Sequence, residues 1–541
     1  FIILKKIALF IACFTGLATA KAQITSGDTS VIIVTAYLPD VQETKKIDIL
    51  PIMEDPKVKP PVYQYVFPNV AYKPKAVYSP IDPIFIKPEE KEELSDNYLE
   101  VGGGNYLTSY LNASIHNTQD KYYMYGLNVK HHAANASKDP NQALFSQNQI
   151  TAFGSREKGN DLFGEMDYQR NVVHYYGYLA DTSERSLDDI HQIYNDVNAK
   201  AQWSRQQSKV NNRLNLKSDV NLGFNLFDKL SESENTFRVI NKNDFSAGKG
   251  RLHLDLGATY TQLTETAKYN RLFIDFKPHY ELTYKKWNLD IGANLNYLSD
   301  TNGGVIKPAP YLKAETYLVP KILRGYFGIT GDFQKNTLKS LSYENLFLGN
   351  TIQYANTYVL KFQGGMNGSF KRFVAFGINI SQEFIKDQYF FVSDTNALRN
   401  FTTVKDDMSR LTFSGELKFN VNQHIEIGFR GNVYSYSLTA EKEAWHLPSY
   451  DAALFSTVRL ADRIYIRGGY FATSARNARD LNSKEFVLAA INDVNLGFEY
   501  RYKKNISGFI RVNNILNQRY ELWNNYRAQG LNALAGITFS L

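Results

Sequence analysis

Few residues in this 541-residue chain have types and spacings that could do chemistry by themselves. His131 and His132 are adjacent, and imidazoles bind transition metals. On a strand their side chains would point to opposite faces, so a metal site would need ligands from elsewhere, and the plainer reading is the edge of a polar loop. Asp181, Glu184, Asp188, Asp189 and Asp196 could ligate calcium, yet they lack EF-hand spacing; a solvated loop with a helical turn around 187–197 is expected instead. Gly102-Gly103-Gly104 is no phosphate loop, because no strand–helix unit follows it; glycine inside a strand more often permits a bend or a close approach. No G-x-S-x-G nucleophile signature occurs. No catalytic residue, metal site or cofactor is therefore expected, and the chain reads as a non-enzyme.

The ends and the composition say where such a chain works. Lys5 and Lys6 precede an apolar run from Ile7 to Leu17, and small residues follow to Ala20-Lys21-Ala22. That is the layout of a secretory signal, residues 1–22, with the mature chain expected to begin near Gln23. A lipoprotein reading through Cys13 is disfavoured because apolar sequence continues past it. Cys13 is the only cysteine, so the exported chain would hold no disulfide and no thiolate site. The net charge of +7 falls to +4 once Lys5, Lys6 and Lys21 leave with the signal, which argues against nucleic-acid binding. Aromatic content is the informative quantity: 37 Tyr and 34 Phe stand against 5 Met. After the signal no apolar run reaches the ~18 residues of a spanning helix. An exported, Tyr-rich chain without such helices is a secreted β protein or an outer-membrane barrel with aromatic girdles.

Periodicity decides between these. From about Asp96 to Leu541 the chain repeats runs that alternate apolar with polar or Gly, each closed by a turn. Leu252, Leu254, Leu256, Ala258 and Tyr260 alternate with His253, Asp255, Gly257 and Thr259. Trp287, Leu289, Ile291, Ala293, Leu295 and Tyr297 do so with Asn288, Asp290, Gly292, Asn294 and Asn296. The runs Leu214–Leu226 and Val494–Tyr502 behave alike. Strict alternation puts one set of side chains on each face of a strand. Runs of ~10 residues or more suit a tilted bilayer crossing, and in lipid only a closed barrel satisfies every backbone group. Lys217, Asp219, Asp255, Asp290 and Glu499 would then face a wet lumen, with Trp287, Tyr297, Tyr260, Tyr500 and Tyr502 in interfacial girdles. The expectation is an all-β fold: a transmembrane antiparallel β-barrel over 96–541, of about 22 strands within a range of 18–22. Polar stretches at Ala133–Gln147, Asp181–Lys200, Ser393–Asp407 and Thr439–Pro448 read as loops on the extracellular side.

Residues 23–95 are different material. Ten of the 16 prolines lie between Pro39 and Pro88, which suits an extended tether better than a folded domain. Near its start stands Asp28-Thr29-Ser30-Val31-Ile32-Ile33-Val34-Thr35-Ala36. A β-branched tail can add as a strand to a partner's sheet edge and so serve as a handle, although a short strand of arbitrary sequence is the alternative. At the other end runs Val512-Asn513-Asn514-Ile515-Leu516-Asn517-Gln518-Arg519-Tyr520, followed by a closing strand apolar at Ala533, Ala535, Ile537, Phe539 and Leu541.

These two ends resemble the TonB-dependent receptors of Gram-negative outer membranes. Asp28, Thr29, Val31, Ile33, Val34, Thr35 and Ala36 are similar to the family's TonB box. Val512, Asn514, Asn517, Tyr520 and Phe539 are similar to its penultimate motif and closing strand. The resemblance covers 96–541 in architecture and implies an outer-membrane barrel with both termini periplasmic, embedded in lipid. It further implies an unknown small solute as cargo, and TonB or another periplasmic protein as a partner through residues 23–95. Only about 60 residues separate box from barrel, where the family carries a plug domain of well over a hundred, so the chain looks like a plugless or reduced-plug relative of Bacteroidetes type. A passive channel and an envelope scaffold that docks periplasmic proteins through the tether stay open as alternatives.

Overall fold

The computed structural model describes residues 97–540 apart from 118–121, 139–140, 159, 178–186, 208–215, 266–267, 301–302, 350–355, 372, 396–397, 423 and 462. Within this range 22 strands form one antiparallel sheet, each bonded to its neighbour in chain order. The first strand, Asn97–Gly104, pairs with the last, Asn532–Ser540, in the register Leu99↔Phe539 and Val101↔Ile537. The sheet is therefore a closed barrel without an edge. Among the described residues no helix is long and apolar enough to cross a membrane.

Alternation sets the two faces as the sequence predicts. On Trp287–Asp300, Ile291 and Leu295 are exposed while Asn294 and Asn296 are buried. On Ile491–Lys503, Leu496, Phe498, Tyr500 and Tyr502 are exposed, opposite Glu499 and Arg501. The apolar set faces outward and the polar set lines the interior. Outward Tyr123, Tyr284, Trp287, Tyr317, Phe370 and Tyr502 stand at the strand ends nearest Asn97 and Ser540, where an aromatic girdle belongs.

In a closed antiparallel barrel successive connections alternate between ends. At the end holding Asn97 and Ser540 most are tight turns such as Lys285-Lys286 and Lys504-Asn505, with 117–122 and 208–215 somewhat longer. At the opposite end lie the longest ones, 175–190, 335–356, 439–449, 474–490 and 514–531, together with 394–400. Two of these carry small hairpins of their own, Arg476–Arg479 with Glu485–Leu488, and Glu521–Trp523 with Tyr526–Arg527.

Three expected loops are corrected in whole or part. Ala133–Gln147 is mostly wall, formed by Tyr123–Lys138 and Asn141–Lys158. Asp181–Lys200 becomes strand from His191 onward, and Ser393–Asp407 becomes strand from Phe401. The cause is strand length. The longest strands have 20 residues. At ~3.3 Å per residue such strands rise well past the ~30 Å hydrocarbon layer even when tilted. Wall beyond the lipid has no reason to be apolar, so its polar sequence imitates a loop. The helical turn expected around 187–197 is confined to Leu187–Ile190.

Candidate functional site

The long connections fold over the mouth; 175–190, 335–356, 394–400 and 514–531 share one hydrophobic core, and 439–449 packs into a second through Ala444 and Trp445 against Tyr434 and Tyr436. In the first core, Tyr175, Ile190, Leu338, Leu341, Leu348 and Tyr526 pack with Tyr194, Phe227, Leu263, Phe391 and Phe401 from the strand ends. Rings from distant parts of the chain meet: Tyr526 stacks on Phe347 at 3.8 Å and meets Tyr176 edge-on at 5.0 Å. Trp523 touches Phe391 and His446 at 5.1 Å each, and Phe401 at 5.5 Å. No period in the sequence announces this cap, because its side chains come from several loops far apart in the chain.

Connection 335–356 is held by the wall's polar groups. Its helix, Leu338–Glu344, starts with a reciprocal Thr337–Ser340 capping box, and Glu234 accepts the Leu338 N–H at 2.6 Å. A carboxylate fits there because the first helical N–H groups lack partners within the helix. Lys229, without solvent contact, donates to Gly349 O at 2.7 Å and to Glu232 at 3.1 Å. Arg271 donates to Asn336 O at 2.5 Å, and the Tyr194 and Tyr175 hydroxyls donate to Leu346 O at 2.7 Å and Leu348 O at 3.0 Å. Buried Asp196 accepts from Lys339 at 2.9 Å and from the Tyr343 hydroxyl at 2.8 Å. Asp196 is thus committed to the cap, while Asp188 and Asp189 lie on the short helix and Asp181 and Glu184 fall outside the described residues.

Behind the cap the wall carries opposed charges. Glu383 is buried between Lys361 at 3.0 Å and Arg410 at 2.5 Å. His253 and His279 face each other across two paired strands, their rings stacked at 4.5 Å. Their Nδ1 atoms lie 2.6 Å from Asp244 and Asp290. Sequence reading passed over this pair, since each histidine is alone on its strand and only the register brings them together. His131 and His132 are wall residues. His131 bonds Ser109 at 2.8 Å and Asn148 at 2.7 Å, while His132 packs edge-on against Phe145 at 5.1 Å. Among the described residues no group of three or more His, Cys, Asp or Glu is arranged to hold a metal ion.

The C-terminal motif residues form a turn rather than a ligand pocket. Asn514 and Asn517 take left-handed φ values of 50° and 52°, which asparagine tolerates. Asn514 Nδ2 donates to Gln518 O at 2.8 Å and Gln529 O at 3.0 Å, and Asn517 Oδ1 accepts from Leu531 N at 2.9 Å. The Tyr520 hydroxyl donates to Asp493 at 2.9 Å. Val512 pairs with Ala533, and Phe539 with Leu99 and Ile506, in the adjoining wall. Asp28, Thr29, Val31, Ile33, Val34, Thr35 and Ala36 lie outside the described residues.

Comparison with solved structures places this architecture. The FrpB iron transporter from Neisseria meningitidis (F3-3 variant) superimposes with a TM-score of 0.67 at 8% identity, covering 83% of this chain and 82% of that one. The copper transporter OprC does so at 0.63 and 8%, covering 83% and 81%. The fold is that of a TonB-dependent receptor barrel. The siderophore receptor PiuA from Acinetobacter baumannii shares it at 0.60 and 11%, covering 82% of each chain. No family model matches the sequence, and no curated protein does. At such identities the likeness is one of fold.

Proposed function

We propose that the chain is an outer-membrane uptake barrel of the TonB-dependent receptor type, its termini in the periplasm and its capped mouth facing the exterior. One observation carries the reading: a closed 22-strand barrel with a charged interior whose long loops pack against one another over one mouth. A passive channel needs an open mouth, and a scaffold has no use for a lined interior. Regulated passage of a small solute uses both features. Iron, copper and siderophores are what the similar proteins are named for; the solute taken here is of that size class on this reading. Residues 23–95 would supply the periplasmic handle, with Asp28–Ala36 adding as a strand to a TonB-like partner.

The test is binding of the periplasmic domain of TonB to the full-length barrel, with and without Asp28–Ala36. Binding that disappears on deletion while the barrel still folds supports the reading. Unchanged binding moves the TonB contact away from Asp28–Ala36, and no binding in either form removes TonB and leaves the scaffold reading. Planar-bilayer conductance separates the third possibility: a wide, constitutively open pore in the intact chain would make it a passive channel.

A further inference from the structure

The outer wall carries a feature that neither transport nor the cap uses. On Asn141–Lys158 the outward positions run Ile150, Ala152, Gly154, Arg156 and Lys158 toward the end that holds Asn97 and Ser540. On Asn160–His174 they run Leu162, Gly164 and Met166, with Gly154 paired to Gly164 and Arg156 to Leu162. Tyr123 and Tyr125 of the preceding strand pair with Arg156 and Gly154. Two glycines side by side leave an open groove of about 370 Å³, walled by Tyr123, Tyr125, Leu162 and Arg156.

Neither glycine is demanded by packing. A Cβ added at Gly154 would meet Met124 O only at 3.8 Å, and one at Gly164 would meet Lys200 O only at 4.0 Å. Both have ordinary backbone conformation. What the missing side chains provide is the groove itself. Its rim is basic: Arg156 and Lys158 are exposed, and neither has an acidic partner among the described residues. The Lys158 ammonium lies 5.9 Å from the Tyr122 ring. A cation on the lipid face costs ~2–4 kcal/mol at mid-bilayer but close to nothing at the interface, where these two stand.

We propose that this groove is a specific seat for a glycerophospholipid with an anionic head group. The phosphate lies between Arg156 and Lys158, the tyrosine hydroxyls flank it, and one acyl chain lies in the glycine notch against Leu162 and Tyr125. Charge complementarity selects the head group. The notch lets the chain approach the backbone closely, as small residues do at helix contacts in membranes. The proposal rests on the outer-membrane barrel reading above.

The test is native mass spectrometry of the full-length chain in detergent, titrated with phosphatidylglycerol or phosphatidylcholine. Each variant is first checked for the heat-modifiable gel mobility of a folded barrel. The wild type is expected to retain phosphatidylglycerol in preference to phosphatidylcholine. Arg156→Gln with Lys158→Gln should weaken retention by about fivefold for each charge removed. Gly154→Leu with Gly164→Leu should abolish it by filling the notch with both cations intact, and the single Gly154→Val variant serves if the pair does not fold. Equal retention of both lipids, or full retention by a folded notch-filled variant, overturns the proposal. A wild-type chain that fails to form a heat-modifiable barrel would overturn the membrane reading instead, so the two failures are distinguishable.

Discussion

A lysine without solvent contact is tolerable only when its protons are used, and Lys229 spends them on Gly349 O and Glu232. Lys229→Ala strands the Glu232 carboxylate and cuts the cap's tie to the wall, so a loss of about 3–5 kcal/mol is expected. Thermal unfolding should show that loss, and limited proteolysis should cut within 335–356. Lys229→Met with Glu232→Gln should recover most of it, because no unpaired charge remains. His446 gives the cap a pH limit. Burial lowers its imidazole from 6.5 to about 3, helped by nearby Arg476, while its Nδ1 hydrogen bond to Phe391 O at 3.0 Å acts the other way. The packed ring therefore stays neutral where a released one takes a proton. Cap stability is whole above pH 6.5 and declines as pH falls toward about 3. Hydrogen-exchange protection in 439–449, corrected for intrinsic rates, should fall between pH 7.5 and about 5. His446→Asn, which keeps a donor for Phe391 O, should flatten that dependence.

Elements were legible wherever one face had to meet lipid. The alternating runs Leu252–Tyr260, Trp287–Tyr297 and Val494–Tyr502 lie inside Gly250–Thr264, Trp287–Asp300 and Ile491–Lys503. Legibility failed past the bilayer, where the wall around Ala133–Gln147 needs no apolar face. It failed also in the cap, where Tyr175, Leu341 and Trp523 come from loops without period and meet only after the barrel closes. That convergence is testable. Trp523 touches Phe391, Phe401 and His446, so Trp523→Ala should cost roughly 3–5 kcal/mol of cap stability. Exchange should quicken in 394–400, 439–449 and 514–531 together. Loosening confined to 514–531 would mean that these loops do not hold one another in place.

For the whole molecule, closure and occlusion are separable properties carried by different residues. Closure depends on the seam, where Gly104 and Gly536 lie so close to the Ala533 and Val101 carbonyls that a Cβ on either would collide with them. Gly536→Val should therefore deplete the heat-modifiable barrel on a gel, whereas Trp523→Ala and Lys229→Ala, remote from the seam, should leave it in full yield. The cap variants then isolate occlusion. If the cap alone shuts the mouth, Trp523→Ala and Lys229→Ala should raise single-channel conductance in planar bilayers with residues 23–95 still present. If those variants stay closed until 23–95 are also removed, two barriers lie in series, and a solute needs both the loops and the periplasmic handle to move. The second outcome is the stronger expectation for uptake coupled to a periplasmic partner. A cap that opens spontaneously would pass solutes down their gradient whatever the handle did, so only a barrier on each side makes transport answer to the pull.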